Sequence, residues 1–192
     1  MKKIGLIIIG LTLLFLCSTC KKEHVAPVNQ LVKDLFCFKT GSEWTYYDSV
    51  SQTIQKMVVT NYETKKMANG SKRKVYNFVE CIILGIAMEN SRNGMTRLEA
   101  DEDQDNSLMK EISQIFTPSG EYLHIGCDKN NNFSPIVMYL NNYTINKTTY
   151  SDVYVFNSKN DITFYVSKYI GFIRCMKDDK YDLVLIDKNI QQ

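Results

Sequence analysis

The chain has 192 residues, 44% of them hydrophobic, with 23 Lys and Arg against 21 Asp and Glu. That near balance leaves no basic excess to neutralise a phosphate backbone, and the lysines are scattered, so nucleic-acid binding is disfavoured. Length and composition suit one globular domain.

At the N-terminus, Lys2 and Lys3 precede an apolar segment from Ile4 to Leu16, broken only by Gly5, Gly10 and Thr12. A membrane-spanning helix needs about 20 apolar residues, so this shorter run reads as an export signal. No small-residue site of the A-x-A kind follows it. Two cysteines stand there instead: Cys17 after the bulky Phe15 and Leu16, and Cys20 after the small Ser18 and Thr19. The stretch resembles the lipobox of bacterial lipoproteins, in which small residues precede a cysteine that is acylated on its sulfur and becomes the mature N-terminus. Where that family usually has Leu, three positions earlier, this chain has Cys17. The resemblance implies a signal peptide over 1–19 and lipid attachment at Cys20. Stable anchoring takes more than one acyl chain, and a lipoprotein carries two or three. Lys21, Lys22 and Glu23 partly resemble the surface-export signals of Bacteroidota lipoproteins, with His24 where a second acid would stand. The implied location is the outer membrane, with either side open. Loss of 1–19 removes two lysines and no acid, leaving a formally neutral chain. Residues 20–30, polar with one Pro27, read as a tether, and 31–192 as the globular domain.

Residues 31–38 read as the start of a short helix. From there the dominant signal is period two in segments rich in Tyr, Val, Ile, Phe and Thr, which is β sequence. Trp44, Tyr46 and Asp48 alternate with Thr45 and Tyr47; Met57 and Val59 alternate with Val58 and Thr60. In KVYNFVECIIL, Val75, Val79, Cys81 and Ile83 share one face and Tyr76, Phe78 and Ile82 the other, as in a central strand covered on both sides. Residues 84–93 are ambiguous. Further strands are expected at 95–100, 108–116, 122–125, 152–157, 162–167, 172–176 and 181–186. Turn sequences such as MANGSK, SRNGM, TPSGE, CDKNNNFSP and MKDDK separate them. About nine strands with short links predict a mainly β fold, a single antiparallel up-and-down meander curled into a half-barrel or barrel.

The opening FKTGSEWTY with Gly41, Trp44 and Tyr46, then YSDVYVF at 150–156, FYVSKYIGFIR at 164–174 and YDLVL at 181–185, resemble a family of small lipoproteins from Bacteroidota. Its pattern runs G-x-x-W-x-Y, later Y-x-D-V, then K-x-I-G-x-I. The resemblance implies a lipid-anchored β domain with no known reaction.

Little in the chain points to catalysis. His24 falls in the tether. His124 stands three residues before Cys127 and four before Asp128, and on a strand the odd offset sends His124 and Cys127 to opposite faces unless Gly126 forms a bulge. No serine lies in a G-x-S-x-G elbow and no glycine-rich phosphate loop occurs. Asp101, Asp103 and Asp105 have the spacing of a calcium loop, but Asn106 replaces its glycine and Ile112 its bidentate glutamate; a solvated hairpin tip is expected. Asp128, Asn130 and Asn132 read as a loop. No metal, cofactor or catalytic residue is therefore assigned. Cys37, Cys81, Cys127 and Cys175 allow three disulfide pairings in an oxidising envelope, while Cys37 and Cys81 also read as small buried residues. The 22 aromatics suit either an apolar or amphipathic ligand in the curved sheet or simple coverage of its faces. The expected function is thus a non-enzymatic, lipid-anchored envelope lipoprotein binding such a ligand. The alternative is a structural or interaction subunit of an envelope complex, and a hydrolase has least support because no carboxylate spacing favours it. A large internal cavity would favour the first and a filled core the second.

Overall fold

The computed structural model describes residues 25–68, 78–89, 93–100, 113–127, 130–134, 138–158 and 160–191. The signal peptide, Cys17, Cys20, His24, the Asp101, Asp103 and Asp105 run, and Asp128 lie outside them. The order of elements is β1 (Val25–Ala26), α1 (Gln30–Phe36), β2 (Glu43–Asp48), β3 (Thr53–Ala68), β4 (Phe78–Met88), β5 (Gly94–Glu99), β6 (Ser113–Phe116), β7 (Tyr122–Cys127), β8 (Phe133–Ser134), β9 (Met138–Ile145), β10 (Thr148–Asn157), β11 (Thr163–Ser167), β12 (Gly171–Lys177) and β13 (Tyr181–Asn189).

All thirteen strands belong to one sheet, mainly β and antiparallel as expected. Its order, β8-β7-β6-β5-β4-β3-β2-β13-β12-β11-β10-β9, is a meander that begins in the middle, because the last strand returns to lie beside the first long one. Leu183 pairs with Asp48 and Leu185 with Tyr46 across that joint. The two ends of the path, β8 and β9, are separated by only residues 135–137. The Phe133 ring of β8 also meets Tyr154 and Phe156 of β10, at 5.6 and 5.3 Å. Phe133 thus brings the two ends of the path near each other, and the sheet is curled but not closed into a barrel.

Alternation decides which face is inside. Trp44 and Tyr46 of β2, Ile82, Leu84 and Ile86 of β4, and Phe156, Phe164 and Phe172 beyond them are all buried. Their strand neighbours Tyr47, Ile83 and Tyr165 face outward and are less covered. One end of the curl is plugged by α1. Asn29 caps the helix, its Oδ1 accepting the Leu31 N–H at 2.8 Å, as a residue of its type does at a helix start. Val32, Leu35 and Phe36 point into the sheet, where the Phe36 ring sits 6.0 Å from Phe156 and 5.8 Å from Phe172.

Three expectations change. The fold takes in residues that the sequence assigned to the tether: Val25 and Ala26 pair with Phe78 and Val79, and Ala26 and Val28 are buried. Two short apolar side chains in a polar stretch carry no periodic signal, but the open flank of β4 gives them backbone partners. The ambiguous stretch after 84 continues β4 to Met88. A full strand, β9, runs through 138–145, where none was expected.

Gly171, which opens β12, has φ +87°, and a Cβ there would stand 3.1 Å from Cε2 of Phe38. A left-handed backbone costs an ordinary residue about 1–2 kcal/mol before any clash. Gly171→Val should therefore lower the thermal midpoint clearly below that of the parent. An unchanged midpoint would show that the bend tolerates a side chain.

Candidate functional site

Inside the sheet, side chains fill the space. Among the described residues the best-defined pocket inside the sheet has a volume of about 20 Å³, bounded by residues including Phe38, Trp44, Met57, Leu84, Phe116 and Phe172. That is room for roughly one water molecule. The aromatics that suggested a ligand site pack on each other here: Phe38 meets Trp44 edge-on at 4.9 Å, and Phe164 meets Phe172 at 5.7 Å.

Among the described residues the chemistry-bearing side chains remain apart. His124 is exposed on β7, opposite Gln114 in regular register, and Gly126 forms an ordinary pair with Ser134. With no bulge, His124 and Cys127 point to opposite faces. Among the described residues no group of three His, Cys, Asp or Glu could hold a metal ion. No disulfide joins Cys37, Cys81, Cys127 and Cys175, and Cys81 and Cys175 are buried. Burial pushes the Cys175 thiol up to about 12 and raises those of Cys37 and Cys81. Thiols in that state are poor nucleophiles at neutral pH.

The most developed polar cluster lies on the outer face. Arg174 of β12 donates from Nε and Nη2 to both carboxylate oxygens of Asp182, each at 2.8 Å, and from Nη1 to the Tyr143 hydroxyl at 2.9 Å. Tyr143 stacks on Tyr165 with centroids 4.6 Å apart. The register makes this contact informative. Tyr143 pairs with Tyr150, whereas Tyr165 pairs with Val155, five residues further along β10. The β9–β10 hairpin must therefore bend back over the sheet, and it does so beside Asp152, which has φ +51° and is skipped in the ladder. With its partners satisfied, the cluster is a clamp holding that hairpin down. Bidentate Arg–carboxylate pairing gives it geometric definition. No local spacing reveals it, because Arg174 and Tyr143 are 31 residues apart.

Asp48 makes a comparable link between β2 and β13. Burial would raise its carboxyl, but hydrogen bonds from the Ser51 hydroxyl and from the backbone N–H groups of Asp182, Val50 and Ser51 outweigh that and hold it below the usual range. A lowered carboxyl contributes stability that is full above its unfolded value, near 4, and is lost as pH falls through the folded one. The parent should thus lose stability between pH 5 and about pH 2, and Asp48→Asn should start lower and lose less over that interval. Urea unfolding at both ends of the range checks this; equal losses would remove Asp48 from the acid sensitivity.

Exposed apolar side chains include Met138 and Tyr139 on β9, at 64% and 48%, and a group around the β2–β3 hairpin. Tyr47 and Ile54 are direct cross-strand partners on the outer face, with Val50 in the adjoining turn and Ile186 in a bulge of β13, all 37–58% exposed. Tyr169, 52% exposed, tips the turn between β11 and β12. No helix among the described residues is long and apolar enough to cross a membrane. Comparison of the chain with protein-family models, with curated proteins and with solved structures finds no match.

Proposed function

We propose that the protein is a lipid-anchored lipoprotein of the cell envelope, held at the outer membrane through Cys20, and that its β domain is a non-enzymatic interaction subunit. The observation that carries the choice is the filled interior. Small-molecule pockets run to about 300–1,000 Å³, against about 20 Å³ here, so an apolar ligand inside the curved sheet would require the core to open. Packing on that scale favours a rigid body that meets its partner with its outside. The exposed Tyr47, Ile54 and Ile186 offer such a surface to an envelope protein.

Two experiments test the reading. Metabolic labelling with a clickable fatty acid should mark the parent and Cys17→Ser, while Cys20→Ser should stay an unlabelled precursor. Label retained by Cys20→Ser and lost by Cys17→Ser would move the anchor. Native mass spectrometry of the protein purified from its own envelope should show a stoichiometric protein partner. A retained small apolar molecule in place of that partner would favour ligand binding instead.

A further inference from the structure

We infer that the end of the sheet carrying β1, α1 and the β11–β12 turn rests on the lipid surface, with Tyr169 as its contact. The inference depends on anchoring through Cys20. β1 runs parallel to β4 and pairs with the first two residues of that strand, Phe78 and Val79. The segment before Val25 therefore arrives from the end where β4 begins. Ala26 and Val28 are buried, and the Val28 N–H donates to Glu80 at 2.8 Å, so the chain is fixed from this point onward.

Only five residue steps separate Cys20 from Val25. At about 3.6 Å each they reach at most about 18 Å. β4 alone has eleven residues, about 36 Å of strand at roughly 3.3 Å per residue. The turn around Asp179 lies beside the β2–β3 turn, where the Ser49 N–H donates to the Asp182 carbonyl, past the level at which the Glu89 N–H at the far end of β4 donates to the Lys56 carbonyl, and so beyond the tether's reach unless β1 is pulled out of the sheet. The near end contains α1 and the turn joining β11 to β12, since Lys168 pairs with Asp34 of α1 at 3.1 Å.

That turn is built to present a ring. The Ile170 N–H donates to the Ser167 carbonyl at 3.1 Å, leaving Lys168 and Tyr169 at its tip. Tyr169 has φ +62°, a left-handed conformation that bulky residues rarely adopt and glycine takes freely. Its neighbours impose it: the Tyr169 N–H donates to the Asp34 carbonyl at 2.7 Å, and the Lys168 N–H to that of Asp152 at 3.2 Å. Strain of this kind persists where the surroundings over-determine it, commonly at functional sites. The ring is nonetheless half exposed, with the Lys168 ammonium 5.0 Å from its centroid. An amphipathic ring beside a lysine, at the height set by a short lipid tether, matches the chemistry of a headgroup layer.

The test uses the full chain in native envelopes, with Tyr169, Ile54 or Asp179 replaced by photoreactive p-benzoylphenylalanine and acylation of Cys20 read by mass. After irradiation, a phospholipid adduct is expected at position 169 and none at 54 or 179. With Cys20 acylated, a lipid adduct at 54 or 179 as strong as that at 169 would overturn the orientation, by showing a domain lying on its side or inverted. A protein adduct at 169, or none, would overturn the contact. Absence of acyl mass on Cys20 would remove the anchoring reading and this inference together.

Discussion

Replacing Trp44 by alanine is expected to cost about 3–5 kcal/mol, the usual range for deleting a fully buried large aromatic. The indole is 1% exposed and lies where β2, α1's following segment and β12 converge. Phe38 meets it edge-on at 4.9 Å, and Gly171 leaves room for that Phe38 ring, which a Cβ would approach at 3.1 Å. Its Nε1 donates to the Ile170 carbonyl at 2.6 Å. Alanine would thus leave a void and strip the part-buried Ile170 carbonyl of its partner, which adds roughly 1–3 kcal/mol where water cannot enter. Trp44→Phe separates the two effects by keeping most of the volume and losing only the donor. Urea unfolding should rank the parent first, then Trp44→Phe, then Trp44→Ala. Equal stability of the parent and Trp44→Ala would mean that the indole is not part of the load of the core.

Sequence revealed those parts of the fold whose two faces differ. In β2, Trp44 and Tyr46 lie under the sheet while Tyr47 faces water, and period two follows directly from that contrast. β9 escaped notice for the opposite reason. Its eight residues MYLNNYTI are exposed or half-exposed throughout, so no alternation of hydrophobicity marks it; its strand conformation comes from pairing with β10. Nor could local pattern supply the joint between β2 and β13, whose paired residues stand more than 130 positions apart. The same holds for the outer clamp, assembled from Tyr143, Arg174 and Asp182 on three strands. At Tyr169 a turn was legible in general terms, but its left-handed backbone was not. A tyrosine occupies that position only because α1 and β10 hold it there.

Gly94 supplies the second large effect. Sequence placed it in a turn, SRNGM, whereas it opens β5 opposite Ile86, directly against the ring of Phe116. A Cβ built on Gly94 would lie 2.2 Å from two atoms of that ring, inside any tolerated contact. Phe116 is 1% exposed, touches Tyr122 at 5.2 Å, and is held at its backbone, where its N–H donates to Thr96 Oγ1 at 3.0 Å. The ring cannot slide aside without breaking one of these contacts. Overpacking costs about 1–3 kcal/mol in ordinary cores and occasionally more, so Gly94→Ala is expected at or above the top of that range, from a single added methyl group. Phe116→Ala alone should cost about 3–5 kcal/mol through the void it leaves. In the double variant the clash has no partner, and the added methyl occupies part of that void. Its destabilisation should fall short of the sum of the two single changes by more than about 0.5 kcal/mol, the margin within which independent sites add. Additive costs in urea unfolding would show that the space Gly94 leaves to Phe116 is not the source of the Gly94→Ala effect.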